Sequence, residues 1–252
     1  KPETLQSIAT TVQPDIVIHL AAMAFVAEDD ANSFYQVNLI GTRNLLEVLS
    51  AAKSPPECTI IASSANVYGN STLEVLSEDS PTNPANDYAV SKLAMEYLAR
   101  TYMDRLGIVI TRPFNYTGVG QSSRFLIPKI VEHFNARAPV IELGNIDVAR
   151  DFSDVRDVAR AYRHLSAQPP VGEIINICSG TAISLQECLA LARQTTGHQI
   201  QVNVNQAFIR ENEVSRLSGD RTKIGALMSN NALRNFEETL SWMLSCGGDS
   251  PA

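Results

Sequence analysis

The segment Ile60-Ile61-Ala62-Ser63-Ser64-Ala65-Asn66-Val67-Tyr68-Gly69 begins with apolar residues, which a serine pair and further small and polar residues follow. A short run of apolar residues without alternation predicts a parallel strand that is covered on both faces. The small and polar residues that follow it predict that this strand opens into an active-site loop.

On both sides of this segment, predicted strands and helices alternate along the chain. The run from Asp15 to Ala22 is apolar enough for a central parallel strand. Alternation of this kind predicts an α/β fold with a doubly wound, Rossmann-like parallel sheet. The predicted strands are 15–22, 59–62, 107–111, 139–143, 173–177 and 201–204, and the predicted helices are 4–12, 32–53, 88–104, 125–136, 155–166 and 184–197, with more helix from Lys223 onward.

The pattern becomes irregular after Pro113, which indicates a second lobe. We predict a dinucleotide-binding domain from 1–115 with parts of 145–180, and a smaller substrate-binding lobe from 116–145 and 181–252. A dinucleotide-binding sheet normally begins with a strand and a Gly-rich turn, and no G-x-x-G-x-x-G run opens this chain. We expect the N-terminal βαβ unit to lie outside the given sequence; the alternative is a lineage that has lost it.

Composition narrows the function classes. A net charge of −7 and a sequence pI of about 5.1 argue against a nucleic-acid-binding surface. No apolar stretch approaches the roughly 18 residues that span a membrane. The cysteines show no Cys-x-x-Cys spacing and no paired histidines, so we expect no metal site, buried reduced thiols and, by default, a cytoplasmic location. They are Cys58, Cys178, Cys188 and Cys246.

Tyr88 and Lys92 are the strongest catalytic candidates. Residues four apart on a helix project from the same face. A cation beside a phenol stabilises the phenolate and lowers its pKa from about 10, which gives a proton donor usable near neutral pH. A serine hydroxyl from the pair at Ser63 and Ser64 could hold the substrate oxygen that takes the proton.

Taken together, several motifs resemble the extended short-chain dehydrogenase/reductase family, the group of sugar-nucleotide epimerases, dehydratases and reductases. The resemblance covers nearly the whole chain. The motifs that carry it are His19-Leu20-Ala21-Ala22, Asn38-Leu39-Ile40-Gly41-Thr42-Arg43-Asn44, Ser64-Ala65-Asn66-Val67-Tyr68-Gly69, Tyr88 to Lys92, Arg112-Pro113-Phe114-Asn115, and Arg150-Asp151-Phe152 with Val155 and Asp157.

The resemblance implies a catalytic set and an NAD or NADP site. Ser64 resembles the hydroxyl that orients the substrate oxygen, Tyr88 the general acid/base, and Lys92 the cation that also holds the nicotinamide ribose. Asn38 resembles a helix asparagine that supports the lysine through water. The implied cofactor-binding residues are Leu20, Ala21, Ala22, Asn38, Tyr88, Lys92, Pro113 and Asn115.

The acidic positions separate the reactions of this family. Its 4,6-dehydratases use an acid in the loop after the catalytic hydroxyl, where this chain has Ala65 and Asn66, neither of which exchanges protons near neutral pH. A reductase or an epimerase is left, with Tyr88 as the proton carrier. A non-catalytic nucleotide-binding protein also stays open.

The C-terminal half resembles members that act on GDP sugars. Arg210 and Glu213 match a segment that holds guanosine diphosphate, and a carboxylate can accept hydrogen bonds from a guanine edge. Lys129 and Arg150 match positions near the nucleotide, where cations bind phosphate strongly. The implied substrate-binding set is Ser64, Asn115, Lys129, Arg150, Arg210 and Glu213. The implied reaction is reduction of the C4 ketone of a GDP-4-keto-6-deoxyhexose by NADH or NADPH, in a homodimer or tetramer built through helices 32–53 and 88–104.

Overall fold

A computed structural model describes residues 2–24, 30–208, 216–228 and 232–246. The chain forms two compact units. The first contains Lys1–Ser71, Ser77–Pro113 and Ala161–Ile177, and the second contains Thr72–Leu76, Phe114–Arg160 and Cys178–Ala252.

The elements follow each other as strands and helices in alternation. In chain order they are α1 (Pro2–Val12), β1 (Ile16–His19), α2 (Ala31–Phe34), a π-helix (Tyr35–Ile40), α3 (Gly41–Ser50), β2 (Cys58–Ala62), a 3₁₀ helix (Ala65–Tyr68), β3 (Val75–Leu76), α4 (Asp87–Arg100), β4 (Ile108–Pro113), β5 (Asn115–Thr117), α5 (Leu126–Asn135), β6 (Val140–Leu143), β7 (Ala149–Asp154), α6 (Val155–Ala167), β8 (Ile174–Ile177), β9 (Ala182–Ser184), α7 (Leu185–Thr196), β10 (Gln201–Val204), a second 3₁₀ helix (Gln206–Phe208), β11 (Arg216–Gly219), α8 (Thr222–Leu227) and α9 (Phe236–Cys246).

The first unit is built on a four-stranded parallel sheet in the order β1-β2-β4-β8. Its register pairs Ile18 with Ile60 and Ile60 with Val109. On one face, Ile61 and Ile110 pack with α3 and α4 in a buried apolar cluster. On the other face, the Thr111 hydroxyl lies 2.7 Å from the Tyr162 hydroxyl of α6. Helices on both faces confirm the predicted doubly wound α/β class.

Two expectations about the first unit need correction. The strand predicted at 15–22 is confined to Ile16–His19 and forms the edge of the described sheet, where Ile18 is 41% exposed. The helix predicted over 32–53 contains the π-helix, in which backbone hydrogen bonds join residues i and i+5. Hydrophobic spacing could not show this, because the π-helix continues directly into α3 without a break in the helical chain.

The second unit carries a mixed sheet in the order β3-β11-β7-β5, with β9 antiparallel to β7, and a parallel pair of β6 and β10. Its core packs α5, α7 and α9 together. The predicted capping box is confirmed, since the Ser184 hydroxyl accepts from the Glu187 amide while the Glu187 carboxylate accepts from the Ser184 amide. The strands of two to six residues at β3, β5, β7, β9 and β11 were not predicted.

Three of the cysteines are buried thiols, as expected. Cys246 is the exception and is exposed at the end of α9. Burial raises the pKa of Cys58 to about 11 and that of Cys188 to about 12. None of the described helices has the length and apolar character needed to cross a membrane.

Candidate active site

Helix α4 carries the predicted tyrosine and lysine. It begins after Asn86, whose side chain accepts a hydrogen bond from the Ala89 amide and so caps the first turn. Tyr88 and Lys92 are both buried, and the Tyr88 ring meets Phe34 of α2 edge-on at 5.9 Å between centroids. The spacing of four residues therefore places two functional groups on the buried face of one helix.

The Lys92 ammonium is anchored at the end of a parallel strand. Its Nζ donates to the Ala62 carbonyl oxygen at 2.7 Å, and the side chain is only 3% exposed. This contact uses one of the three ammonium hydrogens. Burial lowers the pKa of Lys92 to about 8, and the Glu96 carboxylate opposes that shift. A lysine held in this way is a cation that titrates near the working pH of an enzyme.

Ser64 lies two residues beyond the carbonyl that holds Lys92. It is the N-cap of the first 3₁₀ helix, and its hydroxyl oxygen accepts from the Asn66 amide at 3.2 Å. That bond leaves the hydroxyl hydrogen available to a substrate oxygen. Gly69 ends the helix at φ +59°, where a Cβ would lie 1.6 Å from the Asn83 carbonyl oxygen, so only glycine fits. The backbone after β2 is therefore fixed at both ends of this turn.

A buried ion pair lies one turn further along α4, and sequence analysis missed it. Glu96 accepts from Arg112 twice, Nε at 2.9 Å and Nη2 at 2.7 Å, and both side chains are nearly inaccessible to solvent. The Ser63 hydroxyl donates to the same carboxylate at 2.6 Å. Arg112 Nη1 also donates to the Tyr68 hydroxyl at 3.1 Å, and Tyr68 donates to Asn176 at 2.7 Å. The signal available in the sequence was a carboxylate, Glu96, at the third position of the spacing 88, 92, 96.

Asn38 is held by hydrogen bonds to the segment after β1 and to α4. It is fully buried in the π-helix, where its Oδ1 accepts from the Met23 amide and its Nδ2 donates to the Met23 carbonyl and to the Ser91 hydroxyl. These bonds take both amide hydrogens. Asn38 therefore ties the segment after β1 to α4.

His19 closes the same network at the end of β1. Thr42 donates to the Asn38 carbonyl at 2.6 Å, so its oxygen accepts from His19 Nε2 at 2.8 Å. Burial, and to a smaller extent the nearby Lys92 cation, lowers the pKa of His19 to about 4. His19 is thus a neutral supporting residue near pH 7.

The cofactor-binding residues predicted in the first unit lie at the carboxyl edge of its sheet. Leu20, Ala21 and Ala22 follow β1 directly, with Leu20 59% exposed, and Pro113 is the last residue of β4. A doubly wound sheet binds its dinucleotide at this edge. The residues present fit such a cofactor, because Leu20 is exposed at this edge and the Ala62 carbonyl takes only one of the Lys92 ammonium hydrogens.

The remaining predicted site residues belong to the second unit. Asn115 begins β5 and is exposed. Lys129 on α5 donates to the Glu142 carbonyl at 2.7 Å, and Arg150 on β7 donates from Nη1 to the Ala149 carbonyl at 2.9 Å. Two further predicted contacts lie outside the described residues, namely Arg210 and Glu213.

Next to Arg150, the second unit contains a buried carboxylate, Asp151, whose several hydrogen bonds were not predicted from the sequence. Asp151 accepts from the Ser179 amide and hydroxyl, at 2.8 and 2.6 Å, and from the amides of Gly180 and Gly219, at 3.0 and 3.1 Å. It thereby joins the loop after β8 to the end of β11.

Comparison with known proteins identifies the family of this chain. A family model described as GDP-mannose 4,6 dehydratase matches residues 1–243. A GDP-6-deoxy-D-talose 4-dehydrogenase from Aggregatibacter actinomycetemcomitans is 35% identical over 91% of this chain and 78% of its own. A GDP-6-deoxy-D-mannose reductase from Pseudomonas aeruginosa is 34% identical over 84% of this chain and 73% of its own.

Solved structures give the same picture. A Burkholderia cenocepacia protein with a provisional epimerase assignment superposes with a TM-score of 0.93 at 48% identity, covering 99% of this chain and 81% of its own. The structure of RMD from Pseudomonas aeruginosa complexed with NADPH superposes with a TM-score of 0.89 at 31% identity, covering 97% and 84%.

The fold and the tyrosine–lysine helix define an extended short-chain dehydrogenase/reductase, a class of NAD(P)-dependent enzymes of nucleotide sugars. Within that class, the chain belongs to the GDP-mannose 4,6-dehydratase family. These findings confirm three expectations from the sequence: the family resemblance, the enzyme class and the dependence of the family on NAD(P).

Proposed function

We propose that this enzyme reduces the C4 ketone of a GDP-4-keto-6-deoxyhexose to the alcohol of a GDP-6-deoxyhexose. The observation that carries the proposal is the placement of Tyr88 and Lys92 on the buried face of α4. The Lys92 ammonium donates to the carbonyl of Ala62, which lies two residues before Ser64. The relatives named for GDP-6-deoxyhexose reduction and dehydrogenation support the substrate class.

The chemistry requires a hydride, which a bound NADPH or NADH supplies, and a proton, which the chain supplies. Ser64 donates a hydrogen bond to the ketone oxygen and holds it. Tyr88 gives its proton to that oxygen as negative charge develops. Lys92 stabilises the phenolate that is left. Each group acts where charge changes in the reaction, which is where electrostatic stabilisation contributes most.

Substrate contacts are proposed on chemical grounds. Lys129, Arg150 and Arg210 would bind the diphosphate as cations, Asn115 the sugar, and Glu213 the guanine edge. Leu20, Ala21, Ala22 and Pro113 would contact the cofactor, with Asn38 holding that segment in place.

The decisive test is mass spectrometry of a GDP-4-keto-6-deoxyhexose incubated with the enzyme and NADPH or NADH. We expect a product two mass units heavier and one cofactor oxidised per product. Tyr88→Phe should lower kcat by about 10³-fold or more and leave NADPH binding unchanged. Tyr97→Phe is the matched control, because Tyr97 is on the same helix but 58% exposed. Normal turnover in Tyr88→Phe would remove the tyrosine from the mechanism.

A nucleotide-sugar 4-epimerase is the second candidate, favoured by the epimerase assignment of the Burkholderia cenocepacia structure. It would use the same tyrosine and lysine and regenerate its cofactor. Product formed without net NAD(P)H oxidation would identify it. A 4,6-dehydratase would lose water, and the turn after Ser64 offers Ala65 and Asn66 in place of an acid. Cofactor binding with no turnover of any nucleotide sugar would indicate a non-catalytic protein.

We also propose a homodimer or tetramer built through the helices at 32–53 and 88–104. Exposed apolar side chains on these helices support it, since such surfaces mark interfaces. They include Val37, Ile40 and Val90. Light scattering would test it, with a monomeric mass as the contradicting result. A cytoplasmic location and a role in making a GDP-rhamnose-type precursor of surface polysaccharide stay predictions.

A further inference from the structure

The buried carboxylate of Glu96 has no part in the proposed proton transfer, yet it lies on the same helix as the groups that perform it, one turn after Lys92. Tyr88, Lys92 and Glu96 are successive members of one helix face at a spacing of four residues. Two of them contact the end of β2: Lys92 Nζ bonds to the Ala62 carbonyl and Glu96 bonds to the Ser63 hydroxyl. The helix is therefore fastened to the strand end at two consecutive residues, immediately before Ser64.

The Glu96 carboxylate is fixed through both of its oxygens. Oε1 receives the Ser63 hydroxyl and Arg112 Nε, and Oε2 receives Arg112 Nη2. A guanidinium bound through two parallel contacts fixes both the position and the charge of a carboxylate. The Tyr68 hydroxyl and the Glu78 carbonyl hold the other side of Arg112, at 3.1 and 3.2 Å. Neither member of the pair can turn away.

We propose that Glu96 is a positioning residue that fixes Ser63, and with it Ser64, against the tyrosine–lysine helix and holds Lys92 in its charged form. This rests on the proposed function, in which Tyr88 gives up a proton beside charged Lys92. The charged and titratable groups around the helix face are His19 on β1, Tyr35 and Asp87 paired at the helix start, Tyr68 and Glu78 beside Arg112, and Arg112 on β4.

The expected effect on charge has a definite sign. Burial pushes Lys92 toward neutrality and Glu96 pulls it back, so Glu96→Gln should move the titration of Lys92 below its value of about 8. A fall of about one unit would cut the charged fraction at pH 8 from roughly one half to about one tenth, a loss of about fivefold in kcat at that pH. With a less charged neighbour, Tyr88 should ionise at higher pH.

The test is a titration of tyrosinate absorbance from neutral to alkaline pH in the full-length protein, so that it starts where Lys92 is charged in the wild type. The Tyr88 contribution is obtained by subtracting the same protein carrying Tyr88→Phe. In Glu96→Gln the Tyr88 midpoint should rise by about half a pH unit or more. Glu57→Gln is the matched control, an exposed carboxylate just before β2, and its midpoint should equal that of the wild type. Coincident curves for Glu96→Gln and the wild type would overturn the proposal.

Ser63→Ala tests the positional half and protects against a Glu96→Gln protein that fails to fold. It keeps the Glu96–Arg112 pair and removes the tie to β2. We expect kcat to fall about tenfold, with KM for the nucleotide sugar and the Tyr88 midpoint unchanged. A wild-type kcat in Ser63→Ala would overturn the proposal. The titration needs no substrate, so a wild-type enzyme that reduces no GDP-4-keto sugar would refute the proposed function and leave the titration test of Glu96 intact.

Discussion

Glu96 in the first unit and Asp151 in the second are both buried carboxylates, but their partners differ in kind. Glu96 is neutralised by a guanidinium through two contacts, with one hydroxyl added. Among the described residues, Asp151 is bonded by one hydroxyl and three backbone amides, none of which carries a charge. Each carboxylate holds a chain segment in place. Glu96 holds the end of β2 at Ser63, and Asp151 holds the loop at Ser179.

The difference shows two ways of keeping a carboxylate in a protein interior. An ion pair compensates one charge with another and depends on both partners being present. A ring of amides compensates the charge with fixed dipoles supplied by the backbone. Burial raises the pKa of Asp151, and the donors from Ser179, Gly219 and Gly180 oppose that rise. The first unit should therefore be the more sensitive to loss of one charged side chain.

The largest expected effect is that of breaking the ion pair from one side. Arg112→Met leaves Glu96 charged and buried without its cation, which should lower the free energy of unfolding by about 3–5 kcal/mol. The double variant Glu96→Leu/Arg112→Met removes both charges and should recover at least half of that loss. Urea denaturation measures both. If Arg112→Met unfolds within about 1 kcal/mol of the wild type, Glu96 does not depend on its arginine partner for stability.

The amide-bound carboxylate should show a smaller effect from a substitution that keeps its shape. Asp151→Asn places an amide NH₂ where an oxygen now accepts amide hydrogens, and those N–H groups cannot turn into acceptors. We expect a loss of about 2–3 kcal/mol in the free energy of unfolding, measured in urea. Asp147→Asn is the control in the same unit, since Asp147 is exposed, and should change stability by about 0.5 kcal/mol or less. Equal curves for the two variants would contradict the role of Asp151.

Burial of His19 should also make the first unit acid-sensitive. The pKa of His19 falls from 6.5 to about 4 on folding, so the unfolded chain binds a proton that the folded chain does not. The stabilisation is present above about pH 6.5 and is lost as pH falls toward 4. Between pH 7 and pH 5 this amounts to about 2 kcal/mol. His19→Gln keeps a donor for Thr42 and should flatten that part of the stability curve. The same slope in the wild type and the variant would assign the acid sensitivity to other groups.

How much of this could be predicted from the sequence depends on the range of the interaction. The strand ending at Ala62 and the helix bearing Tyr88 and Lys92 were predicted, because local periodicity and spacing encode them. The capping box at Ser184 was predicted for the same reason.

What escaped prediction depends on partners far apart in sequence. Arg112 lies 16 residues from Glu96, and Ser179 lies 28 residues from Asp151. No local pattern reports such a contact. β3 was missed because its two residues pair with β11, more than a hundred residues away. The side-chain bonds of Asn38 to Met23 and Ser91 join residues that are 15 and 53 positions apart, which local spacing does not report either.

The smallest expected effect concerns an ion pair of ordinary geometry that lies in solvent. Arg43 and Glu47 are four residues apart on α3, with Nε to Oε1 at 2.9 Å and side chains 55% and 48% exposed. The distance matches that in the Glu96–Arg112 pair, but water screens the charges, and the arginine precedes the glutamate, the weaker order on a helix. Glu47→Gln should therefore change the free energy of unfolding by at most about 0.5 kcal/mol in urea. A loss approaching that of Arg112→Met would show that distance, and not burial, sets the strength of these pairs.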